Sequence, residues 1–252
     1  MTNKNNNRFL LILQTSMNNN ISKYEHLFFD LDHTIWDFES NSKETIKDLY
    51  TLHLLQEKGV DNFDDFFRKY SFHNHNLWDK YTKGFIKQDE LKWKRMWLTL
   101  VDFKIVDEKL AHQLSSEYTD LLPNKKNLFA YTIEILSYLK NKNYQLHLIT
   151  NGFENIQFKK LVNSNLQNFF NEVITSEGSN SLKPNKEIFD YALLKAKATT
   201  SNSIMIGDNL DADIDGGRNA GLDTIYVNHL NKEKYKNATH TIFHLQELEG
   251  IL

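Results

Sequence analysis

The chain contains no cysteine. Disulfide bridges, thiolate nucleophiles and cysteine-ligated zinc sites are therefore excluded. A cysteine-free chain fits a reducing compartment, and a cytoplasmic location is expected. A surplus of positive charge is also missing, because the formal net charge is −3. Polymers with a phosphate backbone reward a clear basic excess, so no nucleic-acid polymer is expected as a partner. Long apolar runs are absent near the start. The longest there, Phe9 to Leu13, is too short to span a membrane and short for a signal-peptide core. No membrane partner is expected, and the chain is read as a monomer or homodimer.

What is present is a globular balance. The chain has 252 residues, 40% of them hydrophobic and 13% aromatic, enough for one core domain and a smaller insert. Residues 1–20 are the exception. They carry Asn3, Asn5, Asn6, Asn7, Asn18, Asn19 and Asn20, and a segment so poor in burial is expected to be a disordered tail. Met17 is an alternative start.

Short apolar runs that end in polar residues mark the rest. His26-Leu27-Phe28-Phe29 ends in Asp30. Tyr144 to Ile149 leads into Thr150-Asn151-Gly152, and Val173-Ile174 into Thr175-Ser176. Ile204-Met205-Ile206 leads into Gly207-Asp208; Thr224 to Val227 and a weaker Thr241-Ile242 come last. Such runs read as buried parallel strands. Helical spacing appears between them, from Leu128 to Leu139 and from Ile188 to Ala198, the second preceded by Pro184. The expected fold class is α/β, a Rossmann-like parallel sheet core with an inserted helical cap domain. The core is assigned to 21–36 and 124–252. Residues 37–123 read as helices, rich in aromatics, and form the cap. An insert after the first strand sits above the strand tips, where ligands bind in such sheets.

Four polar elements fall at those tips. Asp30 and Asp32 stand two apart, so in extended chain both point to one side. Two carboxylates there repel unless a cation or proton intervenes, and a hard divalent ion such as Mg2+ suits oxygen ligands. Two solvated loop acids would give the same short pattern. Thr150-Asn151-Gly152 offers a hydroxyl, an amide and backbone N–H groups to an anion, or is simply a turn. Lys183-Pro184 supplies a cation before a helix. Gly207-Asp208-Asn209-Leu210-Asp211-Ala212-Asp213 adds acids after another strand. Each element alone has an ordinary structural explanation; the four together, in this order at strand tips, converge on one crevice.

With these motifs the sequence resembles the haloacid dehalogenase superfamily of phosphatases, over about residues 24–250, in its helical-cap subclass. Phe29 through Phe38, Leu77-Trp78 through Tyr81 with Gly84, Thr150 through Phe153, Lys183 through Phe189 and Gly207 through Gly221 are similar to the YjjG-type pyrimidine and nucleoside 5'-nucleotidases. One departure is the polar Ser176-to-Ser181 stretch, where relatives are more apolar. The resemblance implies a phosphomonoesterase that forms an aspartyl-phosphate. Asp30 would be the nucleophile and Asp32 the acid/base. Lys183, Thr150 and Asn151 would bind the phosphoryl group. Mg2+ would be the cofactor, held by Asp30, the Asp32 carbonyl and Asp208, with Asp213 beside it. The implied substrate is a nucleoside 5'-monophosphate, a small-molecule phosphate ester; His33, Trp78 and Tyr81 are candidate substrate contacts. The alternatives are a sugar-phosphate phosphatase or mutase, a dehalogenase, for which Asp32 is superfluous, and an inactive binding protein, which retention of every motif acid disfavours.

Overall fold

The computed structural model describes residues 23–231 and 236–252. The Asn-rich segment 1–20 and Met17 lie outside the described residues. Six parallel strands form one sheet: β1 (His26–Phe29), β2 (Gln145–Thr150), β3 (Glu172–Thr175), β4 (Ser203–Gly207), β5 (Asp223–Val227) and β6 (His240–Ile242). Their order is β3-β2-β1-β4-β5-β6. The order in which strands are added therefore reverses at β1, an interior strand that pairs with β2 and β4. Ligand crevices form beyond the strand ends at such a reversal.

Alternation along the strands covers both faces. Leu27 and Phe29, Leu146 and Leu148, and Ile204 and Ile206 enter one hydrophobic core. Phe28, Ile149 and Met205 enter the other. All nine are essentially inaccessible, which explains why the strands read as continuous apolar runs rather than alternating ones. The second core is closed by Ile188, Phe189 and Ala192. These lie at helical spacing on one face of Lys186–Ala196.

Four helices follow β1 directly: α1 (Phe38–Leu52), α2 (Phe63–Thr82), α3 (Gln88–Asp102) and α4 (Glu108–Leu121). No strand occurs among residues 37–123. Three of the helices start on side-chain caps, with Asp37, Asn62 and Asp107 each accepting a backbone N–H three residues on. Their buried stripes, among them Leu49, Phe66, Tyr70, Leu100 and Leu114, continue into the first sheet core. The aromatic density of this region is thus mostly packing. The remaining helices are α5 (Thr132–Asn141), which precedes β2, then α6 (Glu154–Asn163), the single turn α7 (Ser176–Ser179), α8 (Lys186–Ala196) and the short α9 (Gly216–Asn219).

One expected boundary moves. The spacing predicts a helix from Leu128, yet α5 begins at Thr132. Leu128 bridges to Trp36, and the Phe129 N–H donates to the Ile35 carbonyl. Tyr131, at φ 70°, then turns the chain into the helix. Apolar residues at the segment's start were satisfied by pairing with the chain that leaves β1, which periodicity alone does not reveal.

Candidate active site

β1, β2 and β4 end side by side, and their tips carry the polar elements. Asp30 follows β1 and is 8% exposed. Asp208 and Asp213 follow β4. Oxygen atoms of Asp30, Asp208 and Asp213 lie within 4.8 Å of one another. Lys183, 2% exposed, reaches into this cluster. Its Nζ donates to Asp30 Oδ1 at 2.6 Å, to Asp213 Oδ1 at 2.6 Å and to the Ile149 carbonyl at 2.7 Å. All three ammonium hydrogens are therefore occupied within the protein.

Two glycines permit this approach. A β-carbon at Gly207 would collide with the Asp213 carboxylate, and one at Gly152 with the Gln157 side chain. The chain after β4 makes a wide turn over Leu210–Asp215, capped by Asn209, which accepts from the N–H groups of Asp211 and Ala212. That turn buries Asp213 and leaves Asp211 exposed. Gly207→Ala is expected to lower stability by about 1–3 kcal/mol, as overpacking does, and to displace Asp213. Thermal melting checks the stability loss.

Three acids face one buried cation, and the electrostatics follow. Burial pushes the Asp30 carboxyl well above the usual range; Lys183 opposes this, while Asp213 and Asp208 add to it. Burial, then Asp213, push Asp208 up to about 7, although the Thr34 hydroxyl donates to it at 3.0 Å. For Lys183, burial alone would lower the pKa, but Asp213 and Asp30 outweigh it and hold the ammonium above its ordinary value. The cluster is short of positive charge. The second oxygen of Asp30 accepts no hydrogen bond from the described residues. An all-oxygen donor set with uncompensated negative charge fits a hard divalent cation.

Asp32 is not in the cluster. Its carboxylate accepts from Lys160 Nζ at 2.6 and 2.9 Å and from Gln157 Nε2 at 2.9 Å. Gln157 also donates to Thr150 Oγ1 at 2.7 Å, and the Gly152 N–H donates there at 3.1 Å. Thr150 Oγ1 thus accepts two bonds and keeps its own hydrogen for a ligand. Asn151 is used differently from a side-chain anion ligand. Its amide clamps Lys183, accepting the Lys183 N–H at 2.8 Å and donating to the Lys183 carbonyl at 2.9 Å. Any anion contact of Asn151 falls to its backbone N–H.

Lys160 and Gln157 were missed by sequence reading. Both are essentially buried and lie one turn apart on the site-facing side of α6. A lysine on the buried stripe of a helix that follows a strand-tip motif was the available signal. Burial lowers the Lys160 pKa and Asp32 partly restores it. Lys183, between two acids, goes up; Lys160, facing one, goes down.

The candidate substrate contacts are distributed as follows. His33 is exposed, at φ 66°, with its ring 4.9 Å from that of Phe38. Trp78 stacks on Phe153 at 5.2 Å, and Tyr81 meets the same ring edge-on at 6.1 Å. The helices thereby rest on the loop after Thr150. Between them and the sheet tips lies a cavity of about 40 Å³ walled by Asp32, Trp78, Arg95, Tyr118, Phe153 and Lys160. Among the described residues no helix is long and apolar enough to cross a membrane.

Comparison with known proteins agrees with this geometry. The model of the haloacid dehalogenase-like hydrolases matches residues 27–227. The pyrimidine 5'-nucleotidase PynA of Streptococcus pneumoniae is 32% identical, over 89% of this chain and 93% of that protein. The pyrimidine 5'-nucleotidase YjjG of Escherichia coli is 30% identical, over 91% and 98%. The solved structure of the HAD-hydrolase YfnB from Bacillus subtilis, bound to magnesium and revealing interdomain movement, superposes with a TM-score of 0.81 at 29% identity, covering 90% of this chain and 98% of that one. The motif order, the strand order and these matches together place this chain in the haloacid dehalogenase-like hydrolase family.

Proposed function

We propose that this protein is a magnesium-dependent phosphomonoesterase that hydrolyses nucleoside 5'-monophosphates. The observation that carries the proposal is the convergence of Asp30, Asp208 and Asp213 at the tips of β1 and β4 with Lys183 from the loop before α8, and with Asp32 facing the adjoining cavity. The two nucleotidases matched over nearly their whole length support the substrate class.

In this reading the free oxygen of Asp30 attacks phosphorus and the ester oxygen departs with a proton from the Lys160–Asp32 pair. Water then cleaves the aspartyl-phosphate, its proton returning to Asp32, and inorganic phosphate leaves. The Thr150 hydroxyl and the Asn151 N–H hold the phosphoryl oxygens. Lys183 neutralises Asp30 and Asp213 and fixes the nucleophile's direction. Asp30, the Asp32 carbonyl and Asp208 would hold Mg2+, with Asp213 beside them, and the ion would offset the negative charge of the site and the phosphate.

Residues 37–123 act in this proposal as a cap over the core formed by 21–36 and 124–252. A cavity of about 40 Å³ is smaller than a nucleobase. In this reading the helices swing away from the tips to admit substrate; interdomain movement is described for the magnesium-bound YfnB structure.

The test is phosphate release from a panel of UMP, dUMP, dTMP, AMP and sugar phosphates with Mg2+. Turnover of the nucleotides well above the sugar phosphates is expected; no turnover of any nucleotide rejects the substrate class. Chelation with EDTA should abolish the activity and added Mg2+ restore it. Because Asp208 is pushed up to about 7, a proton competes with the ion below that value. Magnesium affinity should therefore rise between pH 6 and 8, measurable by calorimetry.

A further inference from the structure

Arg95 is a buried charge that has no ionic partner among the described residues and no part in the proposed chemistry. It lies on α3 in a buried stripe with Leu91 and Thr99, four residues to either side, and is 5% exposed. Among the described residues no carboxylate forms an ion pair with it. Of its five N–H donors, one reaches the Lys92 carbonyl at 3.3 Å and one the Asn74 side-chain oxygen at 3.0 Å. The remaining three have no acceptor among the described residues. The Tyr118 ring face, 4.5 Å away, offsets part of the cost of burying the charge. A guanidinium held in an apolar wall without an anion is otherwise destabilising.

The surroundings identify what it awaits. Arg95 lines the same cavity as Asp32, from the helical side, while the phosphoryl contacts all lie at the sheet tips. Trp78, Tyr118 and Phe153 give that cavity aromatic walls, which suit a flat ring. A planar fork of N–H donors beside a flat slot matches the acceptor edge of a heterocycle rather than an aliphatic alcohol.

We infer that Arg95 is a specificity-determining residue that donates hydrogen bonds to a carbonyl group of the nucleobase on the leaving group. The inference rests on the nucleotidase reading and deepens it. Selectivity for such nucleotides over sugar phosphates then comes from this residue, because a site built to donate hydrogen bonds rejects ligands lacking the acceptor.

The experiment compares kcat/KM for dUMP and ribose 5-phosphate in wild type, Arg95→Met and Arg95→Lys. Arg95→Met should lose at least about tenfold more on dUMP than on ribose 5-phosphate, mainly through KM, as expected for a charged hydrogen bond. Arg95→Lys should recover part of the difference. Equal losses on both substrates would mean that Arg95 only supports the fold or the phosphoryl site, and would overturn the inference. Should Arg95→Met fail to fold, wild type decides alone. It should prefer dUMP by about tenfold or more over the analogue whose base is a phenyl ring; equal rates overturn the inference. Absence of any nucleotide turnover in wild type removes the nucleotidase reading itself, whereas turnover with unchanged selectivity removes only the role of Arg95.

Discussion

Asp30→Asn is expected to reduce phosphate release by at least about a thousandfold, the scale seen when a covalent nucleophile is removed. Asparagine has nearly the same shape and keeps an oxygen for the Lys183 hydrogen bond of 2.6 Å. It removes the attacking oxygen and one negative charge. The fold should survive, because burial disfavours the carboxylate that is lost; its pKa is raised well above the ordinary range by desolvation and by Asp213 and Asp208. A thermal melt no lower than wild type, together with lost turnover, is the expected pair of results. Wild-type rates on a generic phosphate ester would refute Asp30 as nucleophile.

Lys183→Met has the second large effect, and it falls on stability as well as activity. The lysine is the one cation bonded to the cluster among the described residues. Its removal leaves Asp30 and Asp213 buried without their counter-charge, a loss of about 3–5 kcal/mol by analogy with other broken buried pairs. The acids can respond by binding protons. Groups whose folded pKa is raised, as for Asp30 and Asp208, contribute stability that is present at low pH and lost as pH rises through the folded value. The deficit of the variant should therefore be larger at pH 8 than at pH 5. Saturating Mg2+ should shrink it, since an ion bound only by the folded state stabilises that state. Denaturant melts at both pH values, with and without Mg2+, read all three effects. An unchanged midpoint at pH 8 would refute the role assigned to the lysine.

The same contrast separates the two buried lysines. Lys183 sits between two acids and its position follows from a motif before α8. Lys160 has one acid and its position follows from the pitch of α6, which brings residues 157 and 160 to the same side. The first was legible because it adjoins a proline at a predictable place in the strand-helix order. The second was one lysine among many until the helix was placed against Asp32.

The sequence by itself determined the parallel sheet and the acids at its tips. Buried strands must be continuous apolar runs, and a chain that ends β1 in Asp, β2 in Thr-Asn-Gly and β4 in Gly-Asp can place those groups only at the carboxyl ends of the strands. It also determined that residues 37–123 are helical, because their apolar stripes recur at helical spacing. Motif spacing already favours Asp213 over Asp211, and the turn after β4 supplies the physical reason by burying one and exposing the other. The tertiary structure alone decided how the other polar groups are shared. Asn151 holds Lys183 by its backbone, and Asp32 faces Lys160 rather than Asp30. Trp78 and Tyr81 rest on Phe153, which leaves the buried guanidinium of Arg95 facing the cavity. These assignments depend on contacts between residues far apart in the chain, such as Lys160 with Asp32. Local periodicity fixes which face a residue occupies but not which partner meets it there.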